Sequence, residues 1–151
     1  MVSAESLLAL TALLFVKHFF ADGPLQTSHQ VINKGRFLHP AGLTHAGVHA
    51  AGTALCLALW APSAVGLEGL TAGVLLGFAG LLIGEFVIHY FIDFAKCQAD
   101  ARYRFSELRE IDGGAPRLVI NDTMFFMVFL LDQLAHALTL ILIVYCIAGL
   151  V

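Results

Sequence analysis

Leu70–Phe94 reads LTAGVLLGFAGLLIGEFVIHYFIDF, and the reading of this stretch decides the fold. It contains no lysine or arginine and exceeds the ~20 residues that a helix needs to cross ~30 Å of hydrocarbon. Three ionisable residues interrupt it near one end, Glu85, His89 and Asp93, each four from the next. Residues four apart on a helix lie on one face, one turn above the other. The stretch therefore predicts a spanning helix that carries a polar stripe along one side. Ionisable groups persist in hydrocarbon when they are paired, face a polar cavity or hold a metal.

The same device recurs in three other apolar stretches, as His18/Asp22 in HFFAD, His45/His49 in HAGVH and Asp132/His136 in DQLAH. With His89/Asp93 these make four pairs at helical spacing, which four packed helices could converge on one small volume. Five of the seven histidines belong to the pairs; only His29 and His39 lie outside, in the first loop.

Composition agrees with membrane insertion. The chain has 151 residues, 59% hydrophobic and 13% charged, with mean hydropathy +0.85. Soluble domains are about 45–50% apolar and about 25% charged. The net charge of -3 and the lack of a basic stripe argue against a nucleic-acid partner. The three cysteines, Cys56, Cys97 and Cys146, show no CxxC spacing, so neither a disulfide framework nor a thiolate zinc site is expected. The first stretch has no basic n-region and no small-residue cleavage site, so it is read as a retained span.

The expected architecture is an all-α integral membrane four-helix bundle, one domain over 1–151, with spans at about 4–21, 41–60, 70–94 and 124–150. Gly23-Pro24 closes the first span and Ala61-Pro62-Ser63 the second. Lys34 and Arg36 lie between spans one and two. Lys96, Arg102, Arg104, Arg109 and Arg117 lie between spans three and four. The positive-inside rule then places both loops in the cytoplasm and both termini outside. All four ligand pairs fall toward that same cytoplasmic side.

A bland reading makes the pairs interhelical hydrogen-bonding glue. Four pairs at a common depth would then desolvate eight groups with no functional return. A metal reading removes that difficulty. His18, Asp22, His45, His49, His89, Asp93, Asp132 and His136 are the candidate ligands, enough for one or two divalent transition metals. A sulfur-free set of imidazoles and carboxylates suits zinc first, then iron or manganese. Bundle carboxylate sites use the same inward projection from facing helices. Glu85 is the candidate catalytic base, with a protonated carboxyl bonded to a neighbouring helix as the plain alternative. Lys17 and Lys96 read as snorkelling residues, Gln26 as an ordinary loop glutamine.

The ordered motifs HFFAD with LQT, HAGVH, HYFIDFAK and LLDQLAH resemble the small bacterial and phage membrane proteins grouped as domain of unknown function 3307. That resemblance covers nearly the whole chain and implies a four-span protein, hence a multi-pass protein of the bacterial inner membrane. More distantly, the layout is similar to membrane-bound metal-dependent hydrolases, which also place His and Asp near the membrane face. The leading expectation is a metal-dependent hydrolase acting at the cytoplasmic leaflet on a lipid or lipid-linked substrate, with zinc lowering the pKa of water toward ~7. A membrane di-iron oxygenase would need an electron donor from elsewhere. A divalent-cation or proton transporter would require a homo-oligomer, since four spans are few, and polar residues in the outer halves, where TALCLALW and TLILIVYCIAGL stand instead. A metal-stabilised structural subunit could dock partners through RYRFSELREIDGG.

Overall fold

In the computed structural model, which describes residues 2–109 and 117–151, the apolar stretches are helices. They are α1 (Ala4–Asp22), α3 (Pro40–Gly69), α4 (Ala72–Tyr103) and α5 (Met124–Leu150), with the short α2 (Ser28–Asn33) between α1 and α3. All four long helices are long and apolar enough to cross a membrane. They pack around a ring in the order α1, α3, α4, α5, and α5 closes back on α1. This is an all-α four-helix membrane bundle, as expected.

Local chemistry sets the helix ends. Ser3 Oγ accepts the Ser6 N–H, Thr71 Oγ1 the Val74 N–H and Asp122 Oδ1 the Met124 N–H. Each satisfies a donor that the first turn of a helix leaves unpaired. His39 caps α3 through Nδ1, which accepts the Ala41 N–H, and Pro40 follows in the first turn. Pro62 does not end α3. The helical run continues to Gly69 and is broken at Gly66, whose φ of 70° is open to glycine and costly for other residues. A spanning helix tolerates an internal proline because its neighbours re-satisfy the freed backbone groups.

Two short antiparallel strands, β1 (Ser106–Arg109) and β2 (Arg117–Ile120), follow α4, with Ser106 opposite Ile120. This hairpin lies outside the helical expectation. The rest of the proposed docking segment RYRFSELREIDGG, from residue 110 on, lies outside the described residues.

The bundle divides into two halves along its axis. Away from the loops, Leu10, Leu14, Leu57, Trp60, Phe78, Leu140, Ile143 and Ile147 fill the interior. Trp60 donates its ring N–H to the Ser6 carbonyl at 2.8 Å, so even the indole leaves no free donor. Leu8, Leu59, Leu76, Ile83, Leu130 and Leu138 point outward and are well exposed, a surface suited to lipid rather than water. Toward the loops, the interior is polar.

Candidate metal centre

The polar half holds all four pairs. His45, His49, His89, Asp93, Asp132 and His136 are buried, His18 is at the edge of burial, and the Asp22 side chain keeps 22% exposure. Donor atoms of Asp22, His45, His49 and His89 lie within 4.8 Å of one another, and so do those of His89, Asp93 and His136. His18 Nε2 stands 3.1 Å from Asp22 Oδ2, and Asp132 Oδ1 stands 3.5 Å from His136 Nε2. The eight residues form one contiguous cluster.

The donor spacing is compatible with a bound metal as well as with hydrogen bonds. Asp22 Oδ1 lies 3.1 Å from His45 Nε2 and 3.0 Å from His49 Nε2. Ligands bound at ~2.0–2.1 Å to one ion sit about 3.0–3.4 Å apart around it. His45 Nε2 also has Asp93 Oδ2 at 3.2 Å and Gln26 Nε2 at 3.1 Å, three neighbours around a nitrogen that can make one bond. Nearby, Nδ1 of His49 is buried without a hydrogen-bond partner among the described residues, and Nε2 of His18, His89 and His136 and Oδ1 of Asp132 are buried within 3.1–3.5 Å of opposite partners without an aligned hydrogen bond to them. Orphaned donors and acceptors at this density are costly unless something else binds them. The rings are close, with centroids 3.7 Å apart for His49/His89 and 4.2 Å for His89/His136.

Glu85 stands apart from both donor groups. It faces Lys17, whose Nζ donates to Glu85 Oε1 at 2.7 Å, and both side chains are buried. Lys17 therefore does not snorkel. Its stem crosses α3 at Gly52, where a Cβ would come within 2.8 Å of Lys17 Cγ and Cδ. Glu85 Oε2 and Thr53 Oγ1 have no partner among the described residues.

Two residues that local pattern gives no site role cover the loop end of the cluster. Gln26 reaches His45, and Lys34 Nζ donates to Asp93 Oδ1 at 3.0 Å. Burial alone would lower the Lys34 pKa, but the Asp93 carboxylate outweighs it and holds the ammonium above the ordinary lysine range. The segment is pinned by a capping box, in which Thr27 Oγ1 accepts the Gln30 N–H and Gln30 Oε1 accepts the Thr27 N–H. At its far end Leu38 donates its N–H to the Tyr90 hydroxyl at 2.7 Å.

A family model described as protein of unknown function (DUF3307) matches residues 10–151. The chain belongs to that family. No curated protein and no solved structure matches it. The region matched to the DUF3307 family contains the whole cluster together with Lys17, Lys34 and Glu85.

Proposed function

We propose that this protein is a membrane-embedded metal-dependent hydrolase acting on a lipid or lipid-linked substrate at the inner leaflet. The observation that carries the reading is the convergence of Asp22, His45, His49 and His89 on one point, beside His89, Asp93 and His136 on a second. Asp22, His45 and His49 would hold one ion, and Asp93 and His136 another. His89 stands in both groups and completes one of them, leaving His18 and Asp132 to complete the other. Zinc suits the sulfur-free donor set best, with iron or manganese next. A divalent ion there would polarise the scissile bond and lower the pKa of the attacking water. Glu85 is the candidate base, since Lys17 holds one of its oxygens and leaves Oε2 free to take a proton. The packed apolar half beyond the cluster favours a site open to one side over a transport path.

The clustering of Lys34, Arg36, Lys96, Arg102 and Arg104 at one end supports a cytoplasmic orientation for that end in a bacterial inner membrane, with both termini outside. Single cysteines introduced at Arg104 and at Gly66, in a chain with Cys56, Cys97 and Cys146 replaced by serine, should react from opposite sides of the membrane. Labelling of position 104 from the outside alone would reverse the topology and move the site to the other leaflet.

The hydrolase reading is tested first by elemental analysis of protein purified gently in detergent. One or two transition-metal ions per chain are expected. A small fraction of one ion, with no rebinding of zinc, iron or manganese, would remove the reading.

A further inference from the structure

We propose that the seam between α4 and α5 is a lateral groove that takes an anionic glycerophospholipid from the inner leaflet, its head group at Lys96 and one acyl chain running outward past Glu85. The inference rests on the hydrolase reading for its biological meaning, and names the substrate class and its route.

Two pockets lie end to end along this seam. The one nearer the loops offers about 350 Å³ and is lined by Ile92, Ala95, Lys96, Leu131, Asp132 and Ala135 among others. The next, about 100 Å³, is lined by Gly80, Gly84, Glu85, Ile88, Thr139 and Cys146 among others. Ile92 and Ile88 are one turn apart on α4, and Ala135 and Thr139 are one turn apart on α5, so the two pockets follow one another along the same seam, one turn apart. From Lys96 to Gly80 the groove runs about 24 Å at ~1.5 Å per residue, which exceeds the ~15 Å depth of one leaflet. The small residues leave room, and a Cβ at Gly80 or Gly84 would meet nothing within 4 Å.

Buried polar atoms separate this groove from an ordinary lipid-facing seam. Glu85 is 3% exposed and its Oε2 has no partner among the described residues, yet the residue lines the wall. Asp132, 6% exposed, lines the lower pocket with its charge turned toward His136. The groove thus passes both the outer edge of the metal cluster and the candidate base. A comparable pocket between α3 and α4, walled by Leu57, Ala61, Leu75, Phe78 and Leu82, has no ionisable residue. The aqueous approach is meanwhile covered by Gln26, Lys34 and the Leu38–Tyr90 bond.

Charge selects the head group. Lys96 lies at the mouth with its ammonium 5.6 Å from the centre of the Phe129 ring, and it has no carboxylate partner among the described residues. A phosphodiester at the membrane surface supplies that partner.

The test is native mass spectrometry of the whole protein with dioleoyl phosphatidylglycerol, and with dioleoyl glycerol as the phosphate-free probe. Phosphatidylglycerol should be retained in preference. Lys96→Gln should weaken its retention about fivefold and leave dioleoyl glycerol unchanged. Gly84→Leu and Ala135→Leu, which fill the groove, should each weaken it about tenfold. Leu138→Phe, on an exposed face outside the groove, is the control. Equal retention of the two lipids, unchanged retention in the folded groove variants, or loss of a dimer in place of lipid would each overturn the proposal. Lys96→Gln decides the matter alone if a groove variant does not fold. Metal content, measured separately, distinguishes failure of the groove from failure of the hydrolase reading. Lipid selectivity without metal sinks only the hydrolase; metal without lipid selectivity sinks only the groove.

Discussion

Protein carrying His89→Ala is expected to purify with markedly less metal than wild type. Among the described residues His89 is the one common to both donor groups, so its loss takes a donor from whichever ion it completes. Removing a residue that merely orients a ligand costs about 10–100-fold in metal affinity, and removing a ligand should cost more. Stability should fall as well. Asp93 Oδ2 stands 3.5 Å from His89 Nε2, and His49 and His136 pack on either side of its ring. Truncation leaves a cavity bordered by carboxylates that have lost the metal and one partner, at a cost of about 3–5 kcal/mol. Elemental analysis and thermal unfolding in detergent measure the two effects. His29→Ala, in the exposed turn of α2, should change neither. Wild-type metal content in His89→Ala would return the pairs to the role of interhelical glue.

The spans and the four pairs could be read from the chain because each is a local pattern. A helix has one period, and residues such as His45 and His49 declare a shared face whatever their helix packs against. The common depth of the pairs followed from counting residues from the basic loops. Other parts depend on contacts between helices. Lys17 precedes His18 and looks like an interfacial lysine until Gly52, on another helix, is seen to leave a channel for its stem. Lys34 lies in a loop between spans, and only the docking of that loop against α4 brings it to Asp93. Thr27 and Gln30 form the capping box that pins the segment locally, but a local pattern does not say where the segment docks. Pro62 is a different case, a helix-ending signal in water that a spanning helix tolerates.

Lys17→Met should destabilise the protein more than the double variant Lys17→Met/Glu85→Gln. The side chains of Lys17 and Glu85 are only 8% and 2% exposed, which sets them apart from a surface ion pair worth a fraction of a kcal/mol. Removing one partner leaves a charge in a medium that cannot solvate it, at about 3–5 kcal/mol. Replacing both with neutral groups of similar size removes the desolvation problem together with the pair, so the double variant should unfold within a few degrees of wild type. Glu85→Gln alone leaves the Lys17 ammonium without its carboxylate and should fall between them, because glutamine can still accept the Lys17 hydrogen bond. Metal content should remain at the wild-type level in all three, since neither residue belongs to a donor group. Turnover of a lipid substrate should nevertheless be lost wherever Glu85 is replaced, including in the stable double variant, if its free oxygen takes the proton. Equal stability of Lys17→Met and wild type would show that the pair does not form in the membrane. Loss of metal in Glu85→Gln would make Glu85 a ligand and move the search for the base to Asp132, the other buried carboxylate facing the groove.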